Sequence, residues 1–139
     1  MPSAWPLQRI DHIGVAVRSI AAAARLYREA FGLHVDPPEA LPANGVTVAF
    51  ITVGDTQIEL LEPLGADSPV ARFLDRRGEG LHHVALAVGD VAHALEIARG
   101  AGFTPLDAHP RPGAHGTRIA FLHPRDAHGV LIELVERAA

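Results

Sequence analysis

The stretch IDHIGVAVRSIAAA, residues 10–23, returns as LHHVALAVGDVAHA at residues 81–94. At a shift of 71, His12 falls on His83, Val15 on Leu86, Val17 on Val88 and Ala21 on Ala92. VAFI at 48–51 falls on IAFL at 119–122 at the same shift, whereas IELLE at 58–62 meets IELVE at 132–136 at a shift of 74. The change of shift predicts three extra residues in the second hairpin turn. Two copies are too few for a solenoid, so a paired, pseudo-symmetric domain follows.

Each copy has the same plan. IDHIGVAV alternates apolar residues with small or polar ones, the pattern of a strand. Ser19 caps a helix whose apolar members Ile20, Ala23, Ala24, Tyr27 and Phe31 keep a three-to-four-residue spacing, and Gly32 ends it. An extended piece at Leu33–Asp36 and a proline-rich loop at Pro37–Pro42 follow. Residues 45–53 and 57–62 then form a hairpin across Gly54-Asp55. The second copy predicts a strand at 81–88, a helix from Asp90 to about Gly100, a loop at 107–116, and strands at 117–123 and 129–136. A linker helix over about 66–77 has Ser68 as its cap and Pro69 at its first position. The class is therefore α+β, with two tandem strand-helix-three-strand (βαβββ) modules at about 8–62 and 80–137 within one domain of residues 1–139.

Composition narrows the functions. The chain has 139 residues, 48% hydrophobic and 20% charged, which suits an ordinary globular domain. A net charge of −4 argues against a nucleic-acid or membrane-surface partner, both of which want a basic face. Without cysteine there are no disulfides, thiolate zinc sites or cysteine nucleophiles. Met1–Arg9 carries no apolar signal core and no stretch approaches a spanning helix, so a cytoplasmic location is expected. Nine histidines and 16 acidic residues leave ample nitrogen and oxygen ligands for a metal.

Strand alternation selects among those ligands. His12, Gly14 and Ala16 share one face, and Ile13, Val15 and Val17 share the greasy face that packs beneath the helix. His83, Ala85 and Ala87 repeat the arrangement; His82 points the other way and has no partner in the first copy. Glu59 and Glu133 lie opposite the apolar members of their hairpin strands, and Glu62 lies on the face opposite Glu59. Half-sheets curling toward each other would bring His12, Glu59, His83 and Glu133 to one place, where buried carboxylates and imidazoles call for a compensating cation. The expectation is a curved mixed sheet around one divalent-metal site, with the helices outside. Two imidazoles and two carboxylates suit Co²⁺, Zn²⁺, Ni²⁺ or Mn²⁺ and leave positions open for water or substrate.

This plan resembles the vicinal oxygen chelate (glyoxalase/bleomycin resistance) superfamily over nearly the whole chain. Within it the sequence is similar to the methylmalonyl-CoA epimerases, through IDHIGVAV at 10–17, IELLEPLGADSPVARFL at 58–74, GEGLHHVALAV at 78–88 and GAHGTRIAFLHPRDAHGVLIEL at 113–134. The His-His pair and the FLHP segment carry that narrower likeness, because glyoxalase I has a similar ligand set. The resemblance implies a metal-dependent isomerase that interconverts (R)- and (S)-methylmalonyl-CoA by abstracting the α-proton through an enolate. It also implies an acyl-CoA as substrate and a homodimer.

Inversion needs two acid/base groups. Glu133 is one candidate. Some epimerases of this kind have a glutamate on the strand where this sequence has Val48, so the second role falls to His115 if the GAHG loop folds over the site; otherwise His115 is an ordinary polar turn residue. Arg72 and Arg76, four apart on the linker helix, either form a basic stripe for the CoA tail or pair with Asp75 and solvent. Gly113-Ala-His-Gly116 offers backbone N–H groups for the same purpose. The alternatives are a glyoxalase I-type lactoylglutathione lyase and a non-catalytic binding protein of the same fold.

Overall fold

A computed structural model of the chain describes residues 7–138. Met1–Pro6, part of the segment in which a targeting signal would stand, lies outside the described residues. Two compact units emerge, one of residues 12–82 and one formed by residues up to 11 together with those from 83 onward.

The unit of residues 12–82 is built on β1 (Leu7–Ala16), α1 (Ile20–Glu29), β2 (Glu39–Leu41), β3 (Val46–Val53), β4 (Thr56–Pro63) and α2 (Pro69–Arg77). Its strands run in the order β2-β3-β4-β1, with β1 parallel to β4 and the other pairs antiparallel. Val53 pairs with Thr56, so Gly54-Asp55 is the predicted two-residue turn. Ser19 accepts a hydrogen bond from the Ala22 N–H at 3.1 Å and starts α1. The helix stops at Glu29, earlier than expected. Gly32 takes φ +66°, and the Leu33 N–H reaches back to the Tyr27 carbonyl at 3.0 Å. Phe31, read as an apolar member of the helix, therefore leaves the helical register and is 63% exposed, its ring tilted at 45° against Tyr27.

The extended piece expected at Leu33–Asp36 makes only a bridge from Val35 to Ile51, and the remaining strand is β2, inside the segment expected to be a loop. Pro37 and Pro38 have no N–H to offer a ladder, so pairing with β3 breaks and resumes at Glu39. The face of β1, β3 and β4 toward α1 is largely apolar: Val17, Ile20, Ala24, Val35, Ala49, Ile51 and Leu60 form one buried cluster.

The other unit carries β5 (Gly80–Val88), α3 (Val91–Gly100), β6 (Arg111–Pro112), β7 (Arg118–Leu122) and β8 (Ile132–Glu136), in the order β5-β8-β7-β6. β5 is parallel to β8, and the other pairs are antiparallel. Asp90 caps α3 by accepting from the His93 N–H. Six residues separate the paired Ile51 and Ile58, and nine separate Leu122 and Ile132, the three-residue excess expected from the shift of repeat. The excess is taken up by a 3₁₀ turn at Pro124–Ala127, with His123 Nδ1 accepting from the Arg125 N–H and Asp126 accepting from the Thr104 N–H. The family-like FLHPRD segment thus builds a turn.

Both units share a device invisible to pattern reading. Glu62 Oε1 accepts from the Ile20 N–H at 2.8 Å, and Glu136 Oε1 accepts from the Val91 N–H at 3.0 Å. Each carboxylate, from the end of a strand, satisfies the first N–H of its unit's helix and meets the positive end of the helix dipole. Glu62→Ala should lower the unfolding free energy by about 1 kcal/mol. Urea denaturation checks this, and an unchanged midpoint would mean the contact contributes nothing.

Candidate metal centre

In the unit of residues 12–82, the parallel register places Glu59 opposite Gly14, two residues beyond His12. His12 Nε2 lies 3.3 Å from Glu59 Oε1, and the two residues are 4% and 6% exposed. Phe50 faces Glu59 across the β3–β4 ladder and meets the His12 ring edge-on, at 5.8 Å between centroids.

The other unit repeats this group by group. Glu133 pairs with Ala85, two residues beyond His83, and His83 Nε2 lies 3.3 Å from Glu133 Oε1. The two are 4% and 5% exposed. Phe121 faces Glu133 and meets His83 edge-on at 5.5 Å. The match of VAFI with IAFL aligns these two phenylalanines, but nothing in the sequence gives them a role beside the histidines.

The donor chemistry fits a divalent ion. Two ligand atoms each about 2.1 Å from one ion lie roughly 3.0–3.4 Å apart in tetrahedral or octahedral geometry. Both His–Glu separations are in that range. His12, Glu59 and His83 each offer a ligand atom from a buried position, and burial of such groups without a cation is costly.

Other residues singled out in the sequence have mostly structural places. His82 packs edge-on against Phe73 of α2 at 4.9 Å. Glu62 caps α1. Arg72 donates to the Asp67 carbonyl and so braces the start of α2, while Arg76 is exposed. The GAHG turn is closed on itself: Gly113 N–H bonds to the Thr117 carbonyl, and Thr117 N–H to the Ala114 carbonyl. Of the four N–H groups of this segment, that of Gly113 is therefore committed internally. A side chain at Gly113 would come within 2.7 Å of Thr117 Oγ1, which explains the glycine. His115 is exposed and held at φ 56°.

Two further arrangements have no signal in the sequence. Asp11, fully buried beside His12 in the chain, accepts from Arg137 Nε at 2.7 Å and from its terminal nitrogen at 2.9 Å. Arg111 sits over the Phe121 ring at 5.6 Å and is held by Asp107, whose other oxygen accepts from the Phe121 N–H. The two charges thereby fix the ring that packs on His83.

The glyoxalase/bleomycin resistance protein/dioxygenase superfamily matches residues 11–121. The ethylmalonyl-CoA/methylmalonyl-CoA epimerase of Cereibacter sphaeroides is 44% identical, over 91% of this chain and 96% of its own. The chain belongs to the methylmalonyl-CoA epimerase family of this superfamily. Another member, the mitochondrial methylmalonyl-CoA epimerase of Mus musculus, is 40% identical over 94% of this chain and 74% of its own. A variant of the Streptomyces coelicolor methylmalonyl-CoA epimerase, solved in complex with 2-nitronate-propionyl-CoA, is 41% identical with a TM-score of 0.93, covering 96% of each chain. Among the described residues, no helix is long and apolar enough to cross a membrane.

Proposed function

We propose that this member of the epimerase family interconverts (R)- and (S)-methylmalonyl-CoA, and that His12, Glu59, His83 and Glu133 hold one divalent ion for the reaction. The observation that carries the reading is the duplicated buried His–Glu pair, at ligand spacing in each unit, in a chain whose relatives are epimerases. Neither the lactoylglutathione lyase nor the binding-protein alternative is favoured by those relatives. Co²⁺, Zn²⁺, Ni²⁺ and Mn²⁺ all suit the donor set. Action of residues 1–139 as one domain, a homodimer and a cytoplasmic setting belong to the same reading.

The α-proton of a thioester is weakly acidic, so the site must offer a base and a means of accommodating negative charge. Glu133 takes the proton from C2, and the bonding pair moves toward the thioester carbonyl. His12, Glu59, His83 and Glu133 would hold a divalent ion that, when bound, would supply Lewis-acid stabilisation of that charge. The edge-on phenylalanines hold the imidazoles in place and keep water from the buried carboxylates. A second group must then return a proton to the opposite side of C2. His115 is one candidate for that role.

The protein purified with a divalent metal and given a single epimer of methylmalonyl-CoA in D₂O should produce the other epimer with one deuterium at C2. Mass spectrometry and a stereospecific coupled assay read the two changes. A metal-loaded protein that neither exchanges nor inverts the substrate would sink the reading.

A further inference from the structure

We infer that Glu39 is the second proton carrier of the epimerisation, acting from β2 on the face of the sheet that carries His12 and Glu59. The inference rests on the epimerase reading above.

The register places Glu39. It pairs with Val48 on β3, Val48 pairs with Leu61 on β4, Phe50 with Glu59, and Glu59 with Gly14 on β1. Directly paired residues send their side chains to the same face, and residues two apart on a strand do likewise. Glu39, Val48, Phe50, Glu59 and His12 therefore share one face. The opposite face is filled by Ala49, Ile51 and Leu60 beneath α1. From His12 onward, the described strands of this unit place two carboxylates on the ligand face, Glu39 and Glu59. Glu62, on the other face, is bound to the start of α1.

Glu59 is taken up with His12 at 3.3 Å. Glu39 is only half-buried as a residue, yet its Oε1 is buried. That oxygen is held out of water on a strand whose register assigns the side chain to the ligand face. Strands lie about 4.8 Å apart, close to the length of a glutamate side chain, so a carboxylate rooted on β2 and laid across Val48 acts above β3. Val48, the residue paired with Glu39, is 1% exposed and apolar, so its own side chain has no acid/base chemistry. His115, by contrast, is exposed on a turn closed upon itself.

The chemistry demands such a group. In one direction the C2–H bond breaks, the proton passes to the Glu39 carboxylate and the electron pair moves toward the thioester carbonyl. A new C2–H bond forms on the other side with a proton from the first carrier. Glu39 ends protonated and the first carrier deprotonated; exchange with water resets both. No oxidant or further reactant is needed.

The test compares the metal-loaded parent with Glu39→Gln and His115→Ala, starting from each C2 epimer in D₂O. Glu39→Gln should slow inversion by about 100-fold or more. Deuterium should still enter one epimer within about threefold of the parent rate, and its entry into the other should fall along with inversion. His115→Ala separates the two candidates, and should slow inversion at least tenfold less than Glu39→Gln does. Moving the carboxylate to the facing position, in the double variant E39Q/V48E, should recover inversion at least tenfold. Inversion by Glu39→Gln at the parent rate overturns the assignment, as does equal loss of exchange from both epimers. A collapse of inversion in His115→Ala alone gives the role to His115. If the parent itself neither exchanges nor inverts, the underlying epimerase reading has failed, a result separable from any behaviour of Glu39.

Discussion

Alanine in place of His83 is expected to lower the inversion rate by roughly a thousandfold and to strip the protein of its metal. In the proposed centre His83 would supply one of the two imidazoles, and it stands 3.3 Å from Glu133, so its removal would delete a ligand and leave a buried carboxylate without its neighbour. Loss of Lewis-acid stabilisation worth about 4 kcal/mol corresponds to that factor. The fold should survive, because the apolar side of β5 and β8, with Val88 and Leu134 against α3, is untouched. Elemental analysis should fall from about one ion per chain to near zero, and the rise in melting temperature on adding metal should vanish. His82→Ala is the matched control: its ring packs on Phe73, so the ion should stay. An H83A protein that keeps a full equivalent of tightly bound metal would rule out this centre.

Leu134→Ala should have the largest effect on stability, about 3–4 kcal/mol. Leu134 has no exposed surface and is enclosed by Val91, Leu95, Ala98, Ala120 and Leu122. A cavity there cannot easily collapse, since the strand backbone is held on both sides by β5 and β7. The melting temperature should drop by about 10 °C. Leu60, its counterpart in the first copy, is equally buried and should respond within about 1 kcal/mol of it. Because Leu134 and Glu133 point to opposite faces of β8, the leucine variant should still bind metal when folded. A cost below about 1 kcal/mol by urea denaturation would contradict the packing described for this cluster.

These two variants separate what each face of a strand does, and that separation is legible in the order of the amino acids. Period-two alternation is a property of the extended backbone, so parity alone selects His83 over His82 and Glu59 over Glu62. Caps at Ser19 and Ser68 are equally local and act as expected, whereas Asp90, the expected start of the second helix, is the residue that caps it. The repeat itself, including the three-residue excess in the second turn, needs only comparison of the chain with itself.

What sequence leaves open involves partners distant along the chain. β2 lies beyond Pro37 and Pro38 because pairing with β3 determines where a strand resumes, and no local preference of Glu39-Ala-Leu41 announces it. Asp11 and Arg137 are 126 residues apart, and the caps from Glu62 and Glu136 span 42 and 45. Phe50 and Phe121 read as ordinary core residues until the ladders set them opposite Glu59 and Glu133. The two βαβββ copies and the ligand-bearing parity of each strand were thus written in the chain, since both follow from periods of two and 3.6 residues. Which side chains brace the His–Glu pairs, and that Glu39 shares the face of His12 and Glu59, came from the folded chain instead, because cross-strand register is a non-local choice made by the whole buried sheet.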